Sequence, residues 1–470
     1  MAISAASHRT RRRRIQPIGV LAAALLVVAG TYVAGLAGEG LVALPPAAPA
    51  APVAPPVVVV PVAREPGAIT GSSGQVDLVE LDSRIATWSA TAAADAADYL
   101  SATNLGILYL GRARLSGDLA DYGRAAAATS RALVADPVYG PARALDATVR
   151  FATHDFRGAL AAATALLADE PGHADALAVV GDASLELGQV GNARRAYASL
   201  ASIAPGPALD VRLARLAYVT GDPARALTIA RGARDEALGS GEADMAFYEY
   251  QLGEYARLNG KEAAAAAAFR ASLDARPAHI GALVGLARVE AAAGRVDDAV
   301  AALERAMAIA PVPDVVALLG DMRAGSGEQA VAEELYATVR LTADLGELAG
   351  SVYDRQLIAF ELDHGGATDE VLAEARRSVA DRPDAAGHDL VAWALHRLGR
   401  DVEAAAQIEA ALATGIVDAR IQFHAGAIAM ATDDVATGEQ QLRKALALGP
   451  ALDPLERSEA ETLLAEADGP

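Results

Sequence analysis

Prolines recur in this chain at a fixed distance. Pro137, Pro171 and Pro205 stand 34 residues apart, and Pro277 and Pro311 repeat the interval. A period of that size marks a small unit copied along the chain, so it points to a helical solenoid and away from a single globular core. The clearest copy, Ala174 to Pro205, reads as two short helices joined by a turn at Gly188-Gln189-Val190-Gly191. Its small residues are Gly181 and Ala193, its aromatic is Tyr197, and Pro205 stops the second helix.

Composition agrees with an all-α chain. It is 53% hydrophobic but only 4% aromatic, so alanine, the best helix former, carries much of the apolar content. The net charge is −20. Residues 1–65 hold six arginines against Glu39 and Glu65, a net of +4, which leaves −24 on the remainder. An acidic body repels phosphate backbones, so nucleic acid is not an expected partner. With no cysteine there are no disulfides, thiol chemistry or cysteine-type zinc sites.

The N-terminus reads as a separate unit. Residues 1–14 form a basic tail with Arg11 to Arg14 at its end, followed by an uncharged apolar run over 15–37. About 20 helical residues span a bilayer core, and the basic cluster stays cytoplasmic. The expectation is a single-pass anchor in the cell membrane, with lipid contact through 15–37 and the body extracytoplasmic. The alternative is a signal sequence cleaved near Gly35-Leu36-Ala37, which would leave a secreted protein. Residues 38–74 are rich in Pro, Ala and Gly and read as an extended linker, with the densest proline between Pro45 and Pro66. Residues 75–470 hold the repeats and end in a capping helix.

The repeated positions are small residues where two helices cross, a Gly or Asp turn, and a closing proline. The third copy has Gly181, Gly188, Ala193, Tyr197 and Pro205; the fifth has Gly253, Gly260, Ala265, Phe269 and Pro277. The sixth has Ala287, Gly294, Ala299, Ala306 and Pro311, and the ninth has Ala392, Gly399, Ala404, Ile408 and Ala411. The first shows Gly106, Ala125, Ala132 and Pro137, with a lengthened turn around Ser116-Gly117-Asp118. The eighth is degenerate, with Ala359, Gly366, Val371 and Pro383. These positions resemble the tetratricopeptide repeat (TPR) superfamily, and with its N-terminal segment the chain looks like a bacterial membrane-anchored or exported member. The resemblance implies a right-handed superhelix of about ten helix pairs.

No HExxH, P-loop or G-x-S-x-G motif occurs, and no dinucleotide fingerprint follows a strand. His388, Asp389 and His396 do not share metal-ligand spacing. No catalysis, cofactor or metal is expected. The resemblance places ligands on the concave face lined by the first helix of each pair. The positions it selects are Arg215, Tyr218, Phe247, Tyr250, Glu254, Arg257, Gln356, Phe360, Trp393, His396, Arg420, Phe423 and Met430. Aromatic residues and arginine anchor interfaces. The expected function is therefore a non-catalytic scaffold at the cell envelope, binding peptide or protein segments in its groove to assemble a complex. The alternative is a secreted binder whose groove aromatics stack on a small molecule or polysaccharide.

Overall fold

The computed structural model describes residues 74–241, 244–343 and 347–468. The basic tail, the apolar run 15–37 and the linker up to residue 73 lie outside these residues. Among the described residues there are twenty-two α-helices and no strand, and no helix is long and apolar enough to cross a membrane.

A leading helix, α1 (Gly74–Ala94), precedes ten helix pairs. They are α2 (Tyr99–Ser116) with α3 (Ala120–Ala135), α4 (Gly140–Ala152) with α5 (Phe156–Asp169), and α6 (Ala174–Glu186) with α7 (Val190–Ala201). Next come α8 (Pro207–Val219) with α9 (Pro223–Ser240), α10 (Met245–Leu258) with α11 (Glu262–Ala275), and α12 (Ile280–Ala292) with α13 (Val296–Ile309). The last four are α14 (Pro313–Gly325) with α15 (Gln329–Ala343), α16 (Glu347–Asp363) with α17 (Asp369–Asp381), α18 (Ala385–Arg397) with α19 (Asp401–Leu412), and α20 (Ala419–Ala431) with α21 (Val435–Ala447). A single helix, α22 (Pro454–Asp468), closes the array. Its Ala460 is fully buried, and Leu463 and Leu464 pack on the core of the last pairs. In the first pair the extra residues before Gly117 lengthen helix α2, to 18 residues, and the turn to α3 stays short.

The connections explain the period. Every one of the ten turns inside a pair holds one residue in the left-handed backbone region. Eight are glycines, among them Gly188 (φ 69°) and Gly399 (φ 70°); the other two are His154 (φ 61°) and Asp433 (φ 62°). A Cβ in that region costs about 1 kcal/mol. Asp433 is exposed, and the cap of α21 is supplied by its neighbour Asp434, which accepts from Thr437 N at 3.2 Å. Asp433→Gly is therefore expected to stabilise the fold by about 1 kcal/mol in urea unfolding; a loss of stability would contradict this.

Within pairs, a glycine on the first helix seats an aromatic ring from the second. A Cβ on Gly181 would lie 2.1 Å from Tyr197 Cε1, on Gly253 2.6 Å from Phe269, and on Gly320 2.4 Å from Tyr336. Tyr197 cannot move aside, because it is 1% exposed and its hydroxyl donates to Asp182 Oδ1 at 2.7 Å. Gly181→Ala should cost about 1–3 kcal/mol by overpacking, read as a lower urea midpoint at unchanged slope; an unchanged midpoint would refute the tight seat.

The ribbon of pairs closes on itself. Arg157, at the start of α5, donates from Nη2 to Ala380 O (3.0 Å) and Asp381 O (3.2 Å). Tyr218, near the end of α8, donates to Asp418 Oδ2 at 2.6 Å. The turn after α8 meets Gly415 so closely that a Cβ on Gly221 would stand 2.1 Å from Gly415 O. Arg257 of α10 donates to Pro450 O (3.1 Å), and Arg288 of α12 to Asp453 Oδ1 (2.8 Å). The partners are about 200 residues apart, so at 34 residues per pair one superhelical turn takes roughly six pairs. The separation falls from 223 to 165 along the chain, so the turn tightens toward the C-terminus. The turns inside early pairs form one edge of the ribbon, and the loops before α18, α20 and α22 form the opposite edge of the next layer. The two edges meet in a mostly polar seam.

Candidate functional site

The thirteen residues selected from sequence fall into three environments. Five are buried rings. Phe247 packs edge-on against Tyr248 (5.3 Å) and Tyr250 lies against Phe269 (6.2 Å) and His279 (4.8 Å). Phe360 stacks on His364 at 4.3 Å. Trp393 and Phe423 are 1% and 0% exposed, with ring centroids 5.4 Å apart. These rings join neighbouring helices and offer no open face. The reason is helical phase: on the first helix, the positions beside the groove alternate with positions that pack on the next pair.

A second group holds the superhelix together. Tyr218 and Arg257 sit in the seam, and Arg257 also pairs with Glu254 at 2.9 Å. Arg420 bridges Asp363 Oδ2 (2.6 Å) and Glu456 Oε1 (3.0 Å), linking α16, α20 and α22. Trp393 Nε1 donates to the other oxygen of Asp363 at 2.9 Å. Glu456 is pushed up to about 8, first by burial, with Asp453 and Asp363 adding to it against Arg420. The last group is half-buried: Arg215, paired with Glu186, then Gln356, His396, bonded to Asp401 at 2.6 Å, and Met430.

Residues that sequence reasoning missed come together at the seam. A cleft of about 650 Å³ opens where the second and third pairs meet the eighth. Its lining combines His154, Phe156 and Leu187 from the first layer with Leu357, Ile358 and Val371 from the second. The one signal in the sequence was His154 itself, which stands one 34-residue period before Gly188, where a glycine is expected. The contacts across about 200 residues leave no trace in a local pattern. Among the described residues no group of three His, Asp or Glu side chains is arranged to hold a metal ion.

Residues 256–322 match the family model described as tetratricopeptide repeat. No curated protein matches the chain significantly. Among solved structures, the chain is similar to PilW, described as a widely conserved type IV pilus biogenesis factor, with 21% identity over 45% of this chain and 97% of that one and a TM-score of 0.37. A monomeric mutant of human IFIT1 with Gppp-AAAA matches at 16% identity over 72% of this chain and 76% of that one, with a TM-score of 0.46. The Cut9–Hcn1 hetero-tetramer of APC/C matches at 15% identity over 84% and 83%, with a TM-score of 0.39. At these values none of the three carries a function across. Residues 256–322 thus resemble tetratricopeptide repeats by family match, and stacked helix pairs continue on either side of them.

Proposed function

We propose that this chain is a non-catalytic TPR scaffold of the cell envelope that binds peptide or protein segments and so brings a complex together. The observation that carries this reading is the cleft of about 650 Å³ between stacked layers, set in an array of helix pairs of which residues 256–322 match the TPR model. Cavities of this size accommodate a short peptide stretch. The half-buried residues Arg215, Gln356, His396 and Met430 offer further contacts to a longer partner. The net charge of −20 favours a protein partner over nucleic acid. The polysaccharide alternative depended on groove aromatics, and Phe247, Tyr250, Trp393 and Phe423 are buried.

The membrane part of the reading rests on residues 1–37 of the sequence alone. A retained anchor over 15–37 would hold the body outside the cytoplasm, on the linker 38–74. Two measurements test the proposal. Purification of the tagged full chain from membranes should bring down one protein at fixed stoichiometry; the absence of any such partner contradicts the scaffold. Mass spectrometry should find an N-terminus at the basic tail; one near Gly38 contradicts the anchor and favours export after cleavage.

A further inference from the structure

His154 bears two costs in one residue. It occupies the left-handed turn position that eight of the ten pairs give to glycine. Its Nδ1 is also enclosed with no hydrogen-bond partner. Backbone strain and an unpaired buried polar atom persist where something else requires them, and they cluster at ligand sites. Asp433, the other exception, shares the backbone strain but is exposed to solvent. His154 lines the seam cleft and stacks on Phe156 at 5.1 Å, and the Arg382 guanidinium lies over the Phe156 ring, 5.5 Å from its centroid. Burial, and then the charge of Arg382, push the imidazole down to about 4, so it is neutral at ordinary pH and can accept a hydrogen bond.

The rest of the cleft specifies the ligand's character. The floor is aliphatic: Leu187 and Ile358 are buried, and Leu357 and Val371 are half-buried beside them. Six of the nine charged lining residues come in opposite pairs, and of the others Arg157 donates to main-chain carbonyls and Asp155 meets Arg150 at 3.3 Å. Arg340 faces Glu361 (3.3 Å), Arg377 faces Glu374 (3.5 Å), and Arg382 is paired with Asp354. Paired rim charges give a charged ligand no net attraction. An aliphatic floor and one neutral acceptor fit an uncharged ligand that carries both an aliphatic group and an N–H.

We propose that the seam cleft is a peptide-binding site for a short uncharged segment, which lays one aliphatic or aromatic side chain on the Leu187, Leu357, Ile358 and Val371 floor and gives a main-chain N–H to the His154 imidazole. This rests on the peptide-binding reading above and deepens it, moving the site from the concave groove to the junction between layers. The site exists only while the superhelix is closed, because neither layer holds it alone.

The test probes an array of random octapeptides with the full chain, then measures the best binder by fluorescence anisotropy. Uncharged peptides with a central Leu, Ile, Val or Phe should be selected. Val371→Arg, which puts a charge on the floor, should weaken binding at least tenfold. His154→Gly should also weaken it about tenfold, the loss of one hydrogen bond, while the protein unfolds at the same or a higher temperature. That pairing separates a ligand-binding histidine from a structural one. Selection of charged peptides, or unchanged affinity in both variants, overturns the site and leaves peptide binding elsewhere on the scaffold intact. An array with no binder overturns both this site and the peptide-binding function.

Discussion

Asp182→Ala is expected to lower the stability of the first superhelical layer by about 3–5 kcal/mol. Asp182 lies on α6 and is the shared acceptor of a buried triad. Tyr197 of α7 donates to its Oδ1 at 2.7 Å, and Arg212 of α8 approaches both oxygens at 3.1 Å. The three residues are 4%, 1% and 4% exposed. Removing the carboxylate leaves a guanidinium charge inside the protein, still held by the Ala208 carbonyl (2.9 Å) but without its bound carboxylate, and it strands the tyrosine hydroxyl. An unpaired buried charge costs far more than the pair itself contributes. Because the triad joins the third helix pair to the fourth, the loss should show as faster hydrogen exchange across α6, α7 and α8 as well as a lower urea midpoint. Asp182→Asn keeps an acceptor for Tyr197 and should recover part of the loss. A change below 1 kcal/mol for the alanine variant would mean that water reaches Arg212.

Trp393→Ala should cost about 4 kcal/mol, the range for truncating a large buried aromatic. Its indole stacks on His424 at 3.9 Å and on His396 at 5.0 Å, with Arg397 over it at 4.5 Å. His424 in turn meets Asp389 at 2.8 Å inside the core. Trp393 thereby ties the ninth pair to the eighth, through Asp363, and to the tenth, through Phe423 and His424. The same substitution separates two views of this residue. An exposed groove aromatic could be truncated with little change in folding, and its loss would appear only in binding. A drop in the urea midpoint without any added ligand supports the packing role; a stable Trp393→Ala protein contradicts it.

The sequence made the repeat unit legible because its signals are local. The 34-residue step of Pro137, Pro171 and Pro205, the glycines under Tyr197 and Phe269, and the turn glycines at 188, 260, 294 and 399 all act within one pair. Helix periodicity and turn chemistry report such contacts directly. The degenerate eighth copy was legible for the same reason, although its left-handed residue is Gly365 and the sequence pattern had picked Gly366. The seam was not legible. Tyr218 and Asp418, or Arg288 and Asp453, meet because small rotations between pairs accumulate into a full turn, and no residue pattern records that sum. Groove assignment failed to separate ring from ring because one step of helical phase moves a side chain from the concave face into the next pair. Arg257 and Arg420 were picked as ligand contacts for their chemistry, and that chemistry is used here between parts of the same chain.

The array closes, with its second layer seated on its first along the seam. The absence of cysteine makes this directly measurable, since two introduced cysteines are the only sites a thiol spin label can take. Ala224 and Thr414 are exposed and flank the contact between Gly221 and Gly415. Ala224→Cys with Thr414→Cys, labelled and measured by double electron–electron resonance, should give a single narrow distance under about 30 Å, because each label sits only a few Cα steps from the contact. An open ribbon would carry the two sites apart at about 9 Å for each helix between them, roughly 100 Å along its contour. A narrow short distance is the result expected of the closed superhelix; a broad distribution centred well beyond 30 Å would contradict it and remove the seam cleft with it.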